Sequence, residues 1–207
     1  KIKFNDCEDS VFLWGARQTG KSTLLMQRFP EAKYYDLLES DLYERFRRQP
    51  SLLRNELSMI DSKTLIIIDE IQKIPELLDE VHWLMSRRNM RFVLSGSSAR
   101  KLRRCGANLL GGRAIRQQLF PFVSAEIPNF NLSRAINNGM LPRHYLIENP
   151  AKRLQAYVGD YLREEIKEEA LTRNIASFSR FLETAAIDDG EILNYNNIAT
   201  DCGVSAP

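Results

Sequence analysis

Along this chain the hydrophobic positions fall into short unbroken runs separated by stretches with helical spacing. Val11-Phe12-Leu13-Trp14 is an apolar run that ends on a glycine, which predicts a buried strand of a parallel sheet. Lys21 to Phe29 then reads as a helix stopped by Pro30. Lys33-Tyr34-Tyr35 predicts a weaker strand, followed by helices from Leu42 to Arg48 and from Ser51 to Met59. Thr64 to Ile68 is the strongest strand signal in the chain. Pro75 opens a helix through about Ser86, with Leu78, Val81, His82 and Met85 on one face, and Phe92-Val93-Leu94 forms a further strand. Strands alternating with helices predict the α/β class, a parallel sheet covered by helices.

After about Phe122 the convincing β runs cease, and Pro128 to Pro142 is rich in Asn, Pro and Gly turn signals. The expected organisation is therefore an α/β domain over 1–127, a linker over 128–149 and a smaller helical domain over 150–207. In that second part Leu154, Tyr157, Val158, Tyr161 and Leu162 recur at helical spacing, and another helix is expected near Ile175 to Ala186. The mixed charges from Arg163 to Glu169 read as a solvated helix face. The tail from Leu193 to Pro207 has the pattern of the first half of a helix-turn-helix. Asn194 caps a short helix, Gly203 supplies the turn, Ser205 caps the next helix and Pro207 lies in its first turn. Winged-helix folds of this kind serve as DNA readers or as protein-interaction modules, and both readings fit.

Composition narrows the picture modestly. With 43% hydrophobic and 27% charged residues the chain is globular. Its net charge of +2 selects no partner class. The distribution says more, because Arg87, Arg88, Arg91, Arg100, Lys101, Arg103, Arg104, Arg113 and Arg116 fall in a segment with no acidic residue. An anionic partner and a solvated basic surface both account for it. Cys7, Cys105 and Cys202 lack any paired spacing, so neither a disulfide framework nor a zinc site is expected, and His82 and His144 are isolated. The longest aliphatic run, Leu65 to Ile68, falls far short of the ~20 residues of a membrane span. No signal-peptide pattern opens the chain, so a soluble, cytoplasmic protein without membrane contact is expected. Lys1 at the start and Pro207 inside a motif make the sequence read as a fragment.

Three segments carry chemistry. Gly15-Ala16-Arg17-Gln18-Thr19-Gly20-Lys21-Ser22, followed by Thr23, matches G-x-x-x-x-G-K-S/T, with a strand before it and a helix after it. The glycines let the backbone curl its N–H groups around phosphate oxygens, and the helix N-terminus adds its positive dipole end. Lys21 is expected to bring a full charge to the β- and γ-phosphates of ATP or a similar triphosphate, and Ser22 to offer its hydroxyl to Mg²⁺. Leu65-Ile66-Ile67-Ile68-Asp69-Glu70 then delivers two carboxylates at the C-terminal end of a strand, where ligands sit in open α/β sheets. Asp69 is expected to hold the Mg²⁺ shell through water, and Glu70 to orient and polarise the attacking water. Finally, Phe92 to Ser98 ends a strand in small hydroxyl residues. Ser97 is the candidate for sensing the γ-phosphate, with Ser95 as second choice, against ordinary turn chemistry. Arg113, in Leu110-Gly111-Gly112-Arg113, is either an arginine finger that neutralises transition-state charge or a surface residue.

Together these features resemble the AAA+ ATPases, in particular a prokaryotic group carrying Gly-Ala-Arg-Gln-x-Gly-Lys, Asp-Glu-Ile-Gln-Lys-Ile-Pro, Gly-Ser-Ser and a later Gly-Arg. Those motifs stand here at Gly15 to Lys21, Asp69 to Pro75, Gly96 to Ser98 and Gly112-Arg113. The group commonly continues into a helical, winged-helix-like domain bearing Tyr-Leu-Arg-Glu, which matches Tyr161 to Glu164. The resemblance implies a P-loop sheet followed by a mainly helical domain, ATP hydrolysis with Mg²⁺, and Arg113 acting in trans in a homo-oligomer. It implies that nucleotide state moves the helical domain on a DNA or protein client. No second sensor arginine is evident in the helical region, so a nucleotide-gated binding switch with little turnover stands as the alternative. A GTPase is disfavoured because no Asn-Lys-x-Asp guanine reader is present, and an ABC-type enzyme because Leu110 to Arg113 follows the acidic strand.

Overall fold

The computed structural model describes residues 9–97, 102, 110–160, 166 and 174–205. Cys7, Ser98, Arg100, Lys101, Arg103, Arg104, Cys105, the Tyr161 to Glu164 motif, the charged segment to Glu169 apart from Ile166, and Pro207 lie outside the described residues. The chain divides into two compact units, Lys1–Leu146 and Ile147–Pro207.

The first unit is built on strands β1 (Ser10–Trp14), β2 (Lys33–Asp36), β3 (Leu65–Asp69), β4 (Arg91–Gly96) and β5 (Ala114–Gln118), in the order β2-β3-β4-β1-β5. Every pairing is parallel, with Val11 opposite Val93, Ile67 opposite Val93 and Tyr34 opposite Ile67. Helices α1 (Lys21–Arg28), α2 (Ser40–Arg48), α3 (Leu52–Leu57) and α4 (Leu77–Arg88) occupy the crossovers. This is the parallel α/β sheet expected from the alternating pattern, with one addition. Strand β5, Ala-Ile-Arg-Gln-Gln, was not expected, because an edge strand with mostly solvated side chains has no apolar run to reveal it.

The two-residue period of the strands divides the core between the sheet faces. Val11, Leu13, Ile67 and Val93 face α1 and pack with Leu25. Phe12, Trp14, Ile66, Ile68, Phe92 and Leu94 face the other way, against Phe46 of α2, Leu53 and Leu57 of α3 and Leu77, Val81 and Leu84 of α4. Complete burial of side chains such as Phe12 and Phe92 contributes roughly 1.5–3 kcal/mol each, so the sheet is a rigid frame for whatever its strand ends carry.

Residues 128–149, expected as a linker, contain two short helices, α5 (Leu132–Asn138) and α6 (Pro142–Tyr145). Asn131 caps α5 by accepting a hydrogen bond from the Arg134 amide at 2.8 Å, and the buried Tyr145 hydroxyl accepts from the Asn131 amide.

The second unit contains α7 (Ala151–Asp160), α8 (Ile175–Ile187) and α9 (Tyr195–Cys202). Asn194 caps α9, its side-chain oxygen accepting from the Asn196 and Asn197 amides. The left-handed Gly203 ends the helix, as the sequence pattern required. From α8 the Arg180 guanidinium donates two hydrogen bonds, of 3.1 and 2.8 Å, to the Cys202 carbonyl, pinning the end of α9. Among the described residues no helix is long and apolar enough to cross a membrane.

Candidate phosphate and acid site

The C-terminal edge of the parallel sheet gathers most of the residues singled out above. Leaving β1, the backbone turns at the buried Gly15, whose amide donates to the Gly96 carbonyl at 3.3 Å. A Cβ at residue 15 would stand 2.4 Å from the Leu119 carbonyl oxygen, so only glycine fits between the loop and the chain leaving β5. The loop is braced from within: Thr19 donates its hydroxyl to the Ala16 carbonyl at 2.8 Å, while Gln18 takes a left-handed conformation. Arg17 is half-buried, and Ala16, Gln18 and Thr23 are exposed.

Helix α1 begins at Gly20 with no side-chain cap and no acidic residue in its first turn. A helix start without a side-chain cap or a first-turn acid suits an anion. Lys21 is 6% exposed, and its ammonium donates to the Gly15 and Ala16 carbonyls at 2.7 and 3.1 Å. Carbonyl dipoles help to hold that buried charge at the loop.

Strand parity explains how Asp69 reaches this loop. Asp69 is in phase with Ile67, Ser95 with Val93, and Tyr34 packs on the same side, so all three face α1. The carboxylate of Asp69, 2% exposed, consequently accepts on both oxygens. Oδ2 accepts from the Ser22 hydroxyl at 2.5 Å and the Tyr34 phenol at 2.6 Å. Oδ1 accepts from the Ser95 hydroxyl and, at 3.1 Å, from the Glu70 amide. A carboxylate has about four lone-pair sites, and four donors fill them. Burial, followed by the hydrogen bond to and the charge of Asp69, pushes the Tyr34 phenol well above its ordinary range, so it remains a neutral donor.

This donor set fits a hard divalent cation in one particular way. Because the Ser22 hydroxyl donates its hydrogen to Asp69, its oxygen keeps a lone pair for a cation, while Asp69 would accept from a cation-bound water by releasing one of its four donors. Ser95 is thereby removed from the γ-phosphate role considered for it: it is fully buried and bonded to Asp69. Tyr34 and Ser95 were overlooked as partners of Asp69, although parity on neighbouring strands is the signal that finds them.

Glu70 leaves the strand in a left-handed conformation, φ 59°, and enters a 3₁₀ turn over Ile71–Lys73. Its carboxylate accepts from the Gln72 amide, which also lies 3.3 Å from the Ser97 hydroxyl. Lys21, Ser22 and Asp69 thus form one constellation, and Glu70 and Ser97 are joined to each other through Gln72. Arg113 is elsewhere. It precedes β5 at the N-terminal edge of the sheet, with its guanidinium 2.6 Å from His82 Nε2 and donating to the Ser86 hydroxyl of α4. A guanidinium only donates, so His82 accepts through Nε2 and carries its proton on Nδ1.

The basic segment is partly engaged inside the unit. Arg88 donates to the Leu57 and Ile60 carbonyls at the end of α3, and Arg91 reaches the Lys63 carbonyl at 3.4 Å. Arg87 and Arg116 are exposed.

Comparison with known proteins adds relatives of low identity. An uncharacterized protein of Methanocaldococcus jannaschii is 26% identical over 217 residues, covering 95% of this chain and 42% of the relative. One of Haemophilus influenzae is 27% identical over 132 residues, covering 58% of this chain and 33% of the relative. The chain therefore spans less than half the length of these curated relatives. Among solved structures, a Walker-type ATPase of Pyrococcus abyssi is similar at 17% identity and a TM-score of 0.40, over 86% of this chain and 69% of that one. The replication initiator DnaA bound to AMPPCP and single-stranded DNA is similar at 13% identity and a TM-score of 0.46, over 90% and 66%. A family described as a domain of unknown function (DUF8612) matches residues 129–207. The phosphate loop and its acid-tipped neighbour strand lie within residues 8–128, which match a family described as an AAA domain, and the chain belongs to that family of P-loop ATPases.

Proposed function

We propose that this chain binds ATP with Mg²⁺ and hydrolyses it to ADP and phosphate, and that nucleotide state moves the helical unit on a DNA or protein client. The observation that carries the reading is the 2.5 Å hydrogen bond from Ser22 to the buried Asp69 carboxylate, beside the buried Lys21. That bond ties the loop suited to phosphates to the strand end suited to a cation shell. Phosphoryl transfer asks the protein mainly for positioning and charge neutralisation. In this reading Gly15 to Ser22 hold the phosphates, with Lys21 supplying the fixed charge. Mg²⁺ supplies neutralisation of the phosphate oxygens when bound, and Ser22 and Asp69 are the residues that hold it. Glu70 accepts a proton from the attacking water, and Ser97 detects the γ-phosphate. Arg113, at the far edge of the sheet, serves the nucleotide of a neighbouring copy.

The test is phosphate release measured beside the affinity of a fluorescent ATP analogue. Glu70→Gln is expected to retain the analogue within about twofold and to lower turnover by roughly 10²–10⁴, the usual weight of a general base. Unchanged turnover in that variant overturns the catalytic assignment. Failure of the wild-type chain to bind the analogue overturns the whole reading.

A further inference from the structure

Gln72 has no place in the mechanism above, and its surroundings are unusual for a side chain so deeply buried. It is 6% exposed in the 3₁₀ turn that follows Glu70. Its amide nitrogen donates to Glu70 Oε2 and lies 3.3 Å from the Ser97 hydroxyl, bridging the end of β3 to the end of β4. Its amide oxygen is buried with no hydrogen-bond partner. Room for the amide exists because residue 96 is glycine: a Cβ there would stand 2.1 Å from the Gln72 oxygen and 2.9 Å from the Trp14 ring. Exchanging the amide's oxygen and nitrogen would turn an acceptor toward the Glu70 carboxylate, so the donating orientation is the one that chemistry allows. A side chain needed only to fill this space would be apolar. A buried amide with an unsatisfied acceptor is kept at a cost in stability, and such groups call for an explanation beyond packing.

We propose that Gln72 is a positioning residue that couples Ser97 to Glu70. It anchors one oxygen of the Glu70 carboxylate and leaves the other for the attacking water. The same amide reaches the hydroxyl at the tip of β4, so a γ-phosphate that engages Ser97 also sets the carboxylate. The inference rests on the ATPase reading of Glu70 and adds to it the residue that makes Glu70 answer to Ser97. Gln72 acts through Glu70 and needs no contact with nucleotide.

The decisive variants are Gln72→Met, which keeps length and burial without the amide, and Gln72→Glu, which keeps the shape but brings a second carboxylate to Glu70. Each is measured for phosphate release, for affinity toward a non-hydrolysable ATP analogue and for melting temperature, beside Glu70→Gln, Ser97→Ala and the Gln72→Met, Ser97→Ala double variant. Both position-72 variants are expected to lower kcat by at least ~10-fold, part of the roughly 10²–10⁴ that a placed general base supplies. Analogue affinity should stay within about twofold of wild type, because Gln72 makes no nucleotide contact in this proposal. The melting temperature of Gln72→Met should change little, since removal of the unsatisfied buried acceptor offsets the lost bonds to the partly buried Glu70 and Ser97. The double variant should be no slower than the slower single variant, as coupled positions require. Wild-type kcat in either position-72 variant overturns the proposal. So does a fall in kcat matched by equal losses of analogue affinity and melting temperature, which marks a structural role, and so does additivity with Ser97→Ala. Turnover that depends on Glu70 but ignores Gln72 overturns this inference alone. Turnover indifferent to Glu70 overturns the ATPase reading and the inference with it.

Discussion

The two edges of the same sheet are built on opposite principles. At the C-terminal edge, side chains from α1, β2, β3 and β4 converge, and Asp69 is buried with every lone pair engaged. At the N-terminal edge Arg113 is exposed and rests on His82 and Ser86 of α4. Strand β5 runs parallel to β1 from Ala114, opposite Ser10, to Gln118, opposite Trp14, so the two edges stand about 13 Å apart at ~3.3 Å per residue. Parallel strands put all their C-terminal ends on one side, which is why one edge alone can assemble a site from several strands. The contrast teaches that the first edge is ordered internally by hydrogen bonds among several elements, whereas the second holds an exposed charge outward.

The largest expected effect tests whether that outward charge completes a neighbour's site. In Arg113→Ala, turnover should fall by about 10³, the lower range for an arginine finger, with ATP-analogue affinity unchanged. Mixing Arg113→Ala chains with Glu70→Gln chains should restore part of the phosphate release, because some neighbours then pair an intact arginine with an intact glutamate. Full activity in Arg113→Ala alone removes the finger assignment. Next in size is Lys21→Ala, which deletes a charge held at the loop by two carbonyls. Loss of one charged hydrogen-bond donor to phosphate corresponds to about 1.5–3 kcal/mol, or roughly 10- to 150-fold in analogue affinity by titration. A change confined to turnover would show that the lysine acts only in the transition state.

The sequence was informative where one physical signal dominates. The aliphatic runs of β1, β3 and β4 are buried on both faces, so they stand out from any helix. Gly15 to Ser22 was readable because the loop's demands on backbone and charge leave few alternatives. Strand β5 was not readable, since its parallel pairing to β1 is long-range and its side chains are mostly solvated. Tyr34 and Ser95 were missed for another reason. Their roles depend on which strands become neighbours, and strand order is set by the whole fold rather than by any local window. Arg88 shows the converse, because local charge counting grouped it with the basic segment while its guanidinium satisfies the end of α3.

Asp69→Asn sharpens the contrast at the internally ordered edge. The amide that replaces one oxygen donates where the protein already supplies donors, so one side of the four-donor set loses its acceptor. The expected cost is about 1–3 kcal/mol in denaturant unfolding, the penalty for a buried group left unsatisfied. The Mg²⁺ dependence of analogue affinity should weaken as well. Unchanged stability would mean that the Asp69 network is not the internal brace that its geometry describes.

The smallest effect expected is Tyr34→Phe, which removes one of the two donors on Asp69 Oδ2 and leaves Ser22 in place. Because Asp69 keeps its other donors, the loss should be about 1 kcal/mol at neutral pH. The pH dependence carries more information. Burial first, and then Asp69, raises the folded Tyr34 phenol above its unfolded value of about 10, so the folded chain holds this proton more tightly. Burial and the charge of Glu56 act in the same direction on Tyr35. Stability from both phenols is therefore fully present below pH ~10 and is lost as pH rises beyond it. Wild-type unfolding midpoints should drop between about pH 10 and 11, and Tyr34→Phe should drop less steeply, Tyr35 supplying the remainder. Equal slopes would show that the Tyr34 hydroxyl is not held against Asp69, and the brace on the α1 side of the sheet would then consist of Ser22, Ser95 and the Glu70 amide alone.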